Sequence, residues 1–256
     1  MKKNDNDSIS AIKYTKDIID EVPIICYTPV DKNVENVLIV VHGFGGDKFS
    51  SNATVLADIL PNFNCAVISF DLHCHGDRDT REQLNLKRCI RDVEIVCNYA
   101  KQKFMNAELS ILGKSFGGYL TMCLLNKNQI CFKHCILDVP AINMDKIIAD
   151  IASLNKFNID DNIIVNCGNQ TYPLYVGTDF YREFVEYNLC QNFNAKNFLY
   201  IFLAEKDEIV DTCMVEQYFK KRGNCEIKVF ENADHNFSNI EHFNCFISNV
   251  VSIMLK

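Results

Sequence analysis

Hydrophobic positions along the chain fall into short β-rich runs, separated by longer stretches in which apolar positions recur with a helical period. This alternation is typical of βαβ units, in which a helix crosses over between two parallel strands. The pattern therefore predicts an α/β protein with a mainly parallel sheet. The predicted strands are residues 22–27, 37–41, 66–70, 109–112, 131–137, 198–203 and 226–230. The predicted helices are residues 51–60, 83–103, 117–126, 214–222 and 239–255.

The alternation is interrupted between residues 141 and 194, where helices are predicted at 144–154 and 180–189 and a short β-like piece at 172–176. This segment is richer in aromatic residues than a connecting loop requires. We expect one domain over residues 1–256, with residues 141–194 forming a small cap over one end of the sheet. The alternative is that this segment is an ordinary helical insertion that does not act as a cap. The aromatic residues either line an apolar pocket or dock the segment onto the core; the candidates are Tyr172, Tyr175, Phe180 and Tyr181.

Composition excludes several classes of protein. A net charge of -7 over 256 residues gives no broad attraction to nucleic acid or to anionic membranes. No apolar run approaches the roughly 18 residues of a membrane span. The amino terminus turns polar after two lysines and shows no export signal, so a cytoplasmic location is expected. The 13 cysteines are scattered singly, which favours free thiols over a disulfide framework.

The strongest chemical signal is Gly113-Lys114-Ser115-Phe116-Gly117, which matches G-x-S-x-G between a predicted strand and a predicted helix. A serine at such a sharp turn is held in strained backbone geometry above the sheet. Its hydroxyl is then available as a nucleophile. The amide of the next residue, Phe116, begins the helix and can donate to a developing oxyanion.

A second glycine-rich turn, His42-Gly43-Phe44-Gly45-Gly46, follows the predicted strand at 37–41. The amide of Phe44 is the best candidate for the other oxyanion donor. The turn matches neither the phosphate-binding G-x-x-x-x-G-K-[ST] pattern nor the G-x-G-x-x-G spacing. His42 is expected to be a structural residue that is hydrogen-bonded within this loop.

An acid and a base follow the serine in the order Ser, Asp, His. Asp207 lies in the turn after the predicted strand at 198–203, with Asp211 as a second choice and Asp138 as a weaker third. His235 lies in the loop after the last predicted strand, whereas His242 falls within the following helix. This order predicts that Asp207 orients His235 and that His235 removes the proton of the nucleophilic serine.

As an ordered set, HGFGG, FDLHCHGDRD, GKSFGGY, AEKDEIVD and ADHNF resemble the α/β-hydrolase superfamily from about residue 20 to the carboxy terminus. The G-x-S-x-G-G-Y form looks like the prolyl-oligopeptidase-related and dienelactone-hydrolase-like esterases. The HGF opening and the cap look like the feruloyl-esterase-type enzymes, although the cap matches no single subfamily well. The resemblance implies a three-layer fold with helices on both faces of the sheet. It also implies a Ser115, Asp207 and His235 triad with Phe44 and Phe116 as oxyanion donors.

The predicted activity is therefore a cofactor-free serine hydrolase acting on a small-molecule carboxylic ester of small or medium acyl or aromatic character. Tyr172, Tyr175, Phe180 and Tyr181 would bind this substrate. An aminopeptidase-like or thioester-cleaving enzyme with the same triad is the main alternative, and the oligomeric state is left open. Two less favoured alternatives are a non-catalytic ligand-binding scaffold and a metal-dependent hydrolase that binds zinc through the H-x-H-x-D spacing of His73, His75 and Asp77.

Overall fold

A computed structural model describes residues 12–30, 33–78, 81–154, 163–165 and 174–256. Eight strands form the main sheet in the order β1-β2-β4-β3-β5-β6-β9-β10, and β7 pairs with β8 separately. The strands are β1 (Ile12–Ile19), β2 (Val22–Pro29), β3 (Asn36–Val41), β4 (Cys65–Phe70), β5 (Glu108–Lys114), β6 (Cys135–Asp138), β7 (Ile163–Val165), β8 (Leu174–Val176), β9 (Leu199–Ala204) and β10 (Cys225–Phe230). The helices are α1 (Ser51–Ile59), α2 (Leu86–Lys103), α3 (Phe116–Asn126), α4 (Met144–Leu154), α5 (Thr178–Tyr187), α6 (Leu189–Asn192), α7 (Thr212–Arg222) and α8 (Ile240–Met254).

The sheet is parallel from β4 through β10, and only the β1–β2 and β2–β4 pairs are antiparallel. Side chains of a strand point alternately to the two faces of the sheet. Accordingly, Val37, Ile39 and Val41 of β3 belong to one buried cluster, which includes residues of α2, α3 and α7. Leu38 and Val40 belong to a second cluster on the opposite face, with residues of α1 and α8. This is the predicted three-layer arrangement.

Several boundaries differ from those predicted. Strand β6 begins at Cys135 rather than at residue 131, because the chain before it is still exposed at Cys131 and Lys133. Helix α2 begins at Leu86 rather than at residue 83, because the Asn85 side chain accepts from the Arg88 amide and caps the helix there.

The segment between β6 and β9 also differs in part from the prediction. Helix α4 has the predicted bounds, but the predicted helix at 180–189 is divided into α5 and α6. The division falls at Asn188, whose φ of 24° interrupts the helical backbone. Part of the predicted β-like piece at 172–176, including Tyr172, lies outside the described residues, and the remainder forms β8. The cap function of residues 141–194 stays a prediction.

Seven of the cysteines that the structure describes are buried: Cys26, Cys65, Cys74, Cys89, Cys97, Cys123 and Cys135. Among the described residues, no helix is long and apolar enough to cross a membrane.

Helix α3 lies very close to the carboxyl end of β3, and Gly117 permits this approach. A Cβ at Gly117 would lie 2.3 Å from the Val41 carbonyl oxygen and 2.5 Å from that of His42. These neighbours are main-chain atoms in the centre of the fold, so they cannot swing aside as a side chain could. The close approach places the start of α3, which follows Ser115, directly beside the loop after β3.

We predict that Gly117→Ala destabilises the protein by about 2 kcal/mol or more, because the clash outweighs the gain of up to about 1 kcal/mol in helix propensity. Gly223→Ala tests backbone strain alone, since its Cβ would meet open space. Its φ of 66° and ψ of −166° lie in a region that essentially only glycine adopts, so we expect this variant to cost about 1–3 kcal/mol. Denaturant unfolding measures both, and a Gly117 variant as stable as the wild type would contradict this account.

Candidate active site

Ser115 occupies a sharp turn between β5 and α3. Its φ of 52° and ψ of −114° lie outside the regions that non-glycine residues favour, which costs about 1–3 kcal/mol. Three main-chain hydrogen bonds hold the turn: the Ser115 amide donates to the Asp138 carbonyl at 2.8 Å, and its carbonyl accepts from Tyr119 at 3.1 Å and from Ala141 at 3.2 Å. The neighbouring strand and helix thus fix the direction of the Ser115 side chain, which is 9% exposed.

The structure brings three distant side chains together at this turn. His235 Nε2 lies 3.0 Å from Ser115 Oγ, and His235 Nδ1 lies 2.7 Å from Asp207 Oδ2. A carboxylate only accepts hydrogen bonds, so Nδ1 carries the proton that is donated to Asp207 and Nε2 accepts from the serine hydroxyl. The histidine and aspartate side chains are 5% and 1% exposed, so water competes little for either contact.

The second oxygen of Asp207 is also occupied. Asp207 Oδ1 accepts from the amides of Ile209 and Val210 at 2.9 and 2.8 Å. These two bonds fix the carboxylate plane, so Oδ2 remains directed at the imidazole. The aspartate therefore has both its position and its orientation set by the turn that follows β9.

The other candidates for the acid and the base lie elsewhere. Asp211 caps α7 by accepting from the Met214 amide at 3.0 Å. Asp138 accepts from the Asn52 side chain at 2.8 Å. His242 lies within α8, as expected. Of the carboxylates considered, Asp207 is the one hydrogen-bonded to His235.

The two candidate oxyanion donors lie on either side of Ser115. Phe116 is the first residue of α3, where the amide has no acceptor within the helix. The loop bearing Phe44 passes close to Ser115, since a Cβ at Gly43 would lie 3.5 Å from the serine Cβ. The Phe44 and Phe116 rings contact each other edge to face at 5.8 Å between centroids. The role of their amides in binding an oxyanion stays a prediction.

His42 is hydrogen-bonded as a structural residue of this loop. Its Nδ1 donates to the Gly43 carbonyl at 2.8 Å, and its Nε2 accepts from the Leu72 amide at 3.2 Å. Burial lowers the pKa of His42, which favours the neutral ring that this pair of bonds requires. His42 thus connects the loop after β3 to the loop after β4.

A buried ion pair connects the same two loops. Lys48 Nζ lies 2.5 Å from Asp71 Oδ2 and 2.6 Å from Asp77 Oδ2, and the Lys48 and Asp71 side chains are 4% and 0% exposed. The Lys48 amide also donates to Asp71 at 2.8 Å. Burial alone would lower the pKa of Lys48, but the bonds and charges of both aspartates raise it above its ordinary value. Sequence reasoning missed this pair, because its partners are 23 positions apart and form no motif.

The residues of the alternative metal site each contact a protein partner. His73 Nε2 lies 3.1 Å from the Gln83 carbonyl oxygen, and His75 Nδ1 donates to the His73 carbonyl at 2.8 Å. Asp77 pairs with Lys48. Within the described ranges, no group of three or more His, Cys, Asp or Glu residues is arranged to hold a metal ion. The geometry favours the structural alternative, a hydrogen-bonded turn.

The aromatic residues predicted to bind substrate have different surroundings. Tyr172 lies outside the described residues. Tyr175 is half-buried, and its carbonyl accepts from the Leu84 amide at 2.7 Å, which ties β8 to the start of α2. Tyr181 is partly buried against the core. These contacts favour the docking alternative for Tyr175 and Tyr181.

Phe180 is 1% exposed and lies in an aromatic cluster beside the site. Its ring centroid is 6.4 Å from that of Phe44, 6.1 Å from Phe116 and 4.7 Å from Phe184. Helix α5 therefore packs directly on both candidate oxyanion residues. This contact was not predicted, because nothing in the local sequence of α5 specifies which loop it meets.

A buried carboxylate also attaches α5 to the main domain. Glu183 is 6% exposed and accepts from the Leu86 amide at 2.8 Å and from the Asn85 side chain at 3.2 Å. A carboxylate at the amino terminus of a helix satisfies free amides and complements the helix dipole. Glu183 thus holds α5, and with it Phe180, at a fixed place above α2.

The sheet order and the strand-to-helix turn at Ser115 define an α/β-hydrolase. The family model described as serine aminopeptidase, S33, matches residues 32–160, just over half of the chain, and the chain belongs to this hydrolase family.

Solved structures of similar fold include three esterases or lipases. The esterase Est1E of Butyrivibrio proteoclasticus, solved with ferulic acid bound, is 18% identical with a TM-score of 0.74, covering 94% of this chain and 99% of that one. A soluble variant of monoglyceride lipase from Saccharomyces cerevisiae is 18% identical with a TM-score of 0.71, covering 96% and 97%. An esterase of Pyrococcus furiosus is 15% identical with a TM-score of 0.68, covering 95% and 92%. At these identities the likeness establishes a shared fold. A comparison with curated protein sequences gave no significant match.

We predict that Lys48→Met destabilises the protein by about 3 kcal/mol, because it leaves the buried Asp71 carboxylate without its cation. Lys220→Met is the control, since that side chain is 62% exposed and its ammonium lies 2.8 Å from Glu216. Loss of such an exposed pair is expected to cost less than about 1 kcal/mol. Denaturant unfolding compares the two variants. Equal stability of both would show that the buried pair does not hold the two loops.

Proposed function

We propose that this protein is a serine hydrolase that cleaves a carboxylic ester of a small or medium acyl or aromatic substrate through an acyl-enzyme. The observation that carries the proposal is the 3.0 Å contact between His235 Nε2 and Ser115 Oγ, with the opposite ring nitrogen 2.7 Å from Asp207. A nucleophile beside a base that is itself oriented by a third group is the arrangement that acyl transfer requires. Membership in a hydrolase family supports the same chemistry.

In the first half of the reaction, His235 Nε2 takes the Ser115 proton as Oγ attacks the ester carbonyl carbon. The carbonyl oxygen becomes an oxyanion, which the amides of Phe44 and Phe116 stabilise. Asp207 stabilises the imidazolium that forms. The imidazolium then donates its proton to the leaving alcohol, and the acyl group stays on Ser115.

In the second half, water takes the place of the alcohol. His235 accepts a proton from the water as its oxygen attacks the acyl-enzyme, and a second oxyanion forms between the same two amides. When this intermediate collapses, the carboxylic acid leaves and the proton returns to Ser115. The cycle consumes one water and needs no group other than the residues named.

Residues 141–194 act as a cap in this proposal. The support is the contact of Phe180 with both Phe44 and Phe116, together with the Glu183 attachment of α5 to the start of α2. An aromatic cluster beside the oxyanion donors suits an apolar acyl or aromatic group. The family description also supports a second candidate, cleavage of an aminoacyl amide by the same three residues.

We predict that Ser115→Ala abolishes ester turnover, because no other group replaces the nucleophile. Asp207→Asn should lower kcat by about 10³- to 10⁴-fold with little change in KM, since an amide no longer favours the required imidazole tautomer. Asp211→Asn is the matched control, because this carboxylate caps α7, and it should keep wild-type turnover. Steady-state kinetics on a p-nitrophenyl ester measure all three. If the Asp207 and Asp211 variants are equally active, the proposed acid is wrong.

A substrate panel separates the ester from the amide candidate. We expect p-nitrophenyl esters of two- to eight-carbon acids and methyl ferulate to be hydrolysed with larger kcat/KM values than an aminoacyl p-nitroanilide, because the phenylalanine side chains of the cluster carry no carboxylate to pair with a charged amine. An acyl thioester belongs in the same panel. Turnover of the anilide alone would replace the esterase with a peptidase. A folded protein that turns over none of these substrates would favour the non-catalytic scaffold.

A further inference from the structure

Two neighbouring loops carry His235 and its proposed partner Asp207. We call residues 205–211, which follow β9, the acid loop, and residues 231–239, which follow β10, the histidine loop. Strands β9 and β10 are adjacent and parallel, so the two loops leave the same edge of the sheet side by side. The contact between His235 and Asp207 therefore depends on how the histidine loop is held against the acid loop.

Main-chain hydrogen bonds join the first residues of the acid loop to β10 and to the histidine loop. The Glu205 amide donates to the Phe230 carbonyl at 3.0 Å, and the Lys206 amide donates to the Ala233 carbonyl at 2.8 Å. Beyond Ala233, the two loops share no further main-chain bond among the described residues. Side chains must therefore restrain the rest of the histidine loop, which includes His235.

Two glutamate side chains of the acid loop bind amides of the histidine loop. Glu205 Oε2 accepts from the Asn232 amide at 2.7 Å, and Glu208 Oε2 accepts from the His235 amide at 3.4 Å. A hydrogen bond to a carboxylate is shorter and stronger than one to a neutral acceptor. The Glu205 bond is the shorter of the two, so it restrains the histidine loop more firmly.

The amide that Glu205 binds belongs to the turn by which the chain leaves β10. Asn232 has a φ of 58°, in the left-handed region that asparagine adopts more readily than most residues. It precedes His235 by three residues, and Ala233 lies between them. The Glu205 carboxylate thus holds the start of this turn, while the main-chain bond at Ala233 holds its middle.

The His235 ring has little freedom if it is to keep both of its contacts. It lies 3.0 Å from Ser115 Oγ on one side and 2.7 Å from Asp207 Oδ2 on the other. These two partners belong to different loops, so a shift of the histidine loop lengthens at least one contact. Catalytic groups have to be held within a fraction of an ångström of their productive geometry.

We propose that Glu205 is a positioning residue of the hydrolase: its hydrogen bond to the Asn232 amide places the His235 ring for proton transfer. The proposal rests on the proposed function, since it concerns the same histidine. The role requires an acceptor oxygen at this distance and does not require a negative charge. A purely structural role would affect stability without affecting the geometry of the ring.

Three replacements of Glu205 separate the acceptor from the charge. The side chain is exposed, so its removal leaves core packing intact. In Glu205→Ala we expect kcat for a p-nitrophenyl ester to fall about three- to tenfold with KM unchanged, because a misplaced catalytic group slows the chemical step. Glu205→Gln keeps an acceptor oxygen at the same reach and should retain most of the wild-type kcat. Glu205→Asp keeps the charge but is too short, so it should behave like the alanine variant.

Glu231→Ala is the matched control. Glu231 is an exposed glutamate of the histidine loop itself, next to Asn232, and makes no hydrogen bond or ion pair with the residues that the structure describes. Its removal should leave kcat and KM unchanged. A loss of kcat as large as in Glu205→Ala would show that the reaction responds to any negative charge near this loop, and it would overturn the proposal.

The proton on His235 Nδ1 gives a readout that needs no turnover. We expect a low-field NMR resonance from this proton in the wild type, because it is buried and lies between Nδ1 and Asp207 Oδ2, which are 2.7 Å apart. In Glu205→Ala the resonance should broaden through faster exchange with water, whereas Glu205→Gln should keep it sharp. An alanine variant in which either kcat or the resonance is unaltered would overturn the proposal, whatever its stability.

Failure of the proposed function would be recognised separately. A wild type that hydrolyses no ester would contradict that function, and the comparison of resonances would still show whether Glu205 positions the ring. If Glu205→Ala does not fold, the glutamine and aspartate variants carry the test. We expect a sharp resonance and near wild-type kcat in the first, and losses of both in the second. Equal behaviour of these two variants would overturn the proposal.

Discussion

The strained backbone at Ser115 is the constraint on which the candidate site depends. A positive φ at this residue turns the chain from β5 into α3 within one residue, and the hydroxyl projects where His235 can reach it. The turn persists because its amide and carbonyl are bonded to the chain around Asp138 and Ala141. Strain of this kind is maintained only where the surrounding structure over-determines it.

The parallel sheet explains why three distant segments meet. Strands β3, β5, β6, β9 and β10 run in the same direction, so the loops that follow them lie at one edge. In open α/β sheets, ligands bind at this carboxyl edge. The loops carrying Phe44, Ser115, Asp207 and His235 all follow these strands.

Patterns that are local in the sequence could be predicted, and those that depend on distant partners could not. The buried strands appear in the sequence as short apolar runs, and the turn at Ser115 appears as the G-x-S-x-G spacing. Both signals lie within neighbouring residues. Strand β1 was missed because almost all its side chains are exposed and Thr15, Lys16 and Asp17 interrupt its apolar positions. The Asn52–Asp138 bond joins residues 86 positions apart, and the contact of Phe180 with Phe44 depends on how α5 docks. Neither contact leaves a signal in the residues around it.

The central claim is that Ser115 is made reactive by the residues that converge on it. The most direct measurement is peptide mass mapping of the folded protein after brief exposure to a fluorophosphonate. The account predicts one adduct per chain, on Ser115, and a large loss of labelling in His235→Gln protein of unchanged fold. No adduct on the folded wild type, or an adduct on another residue, would contradict it.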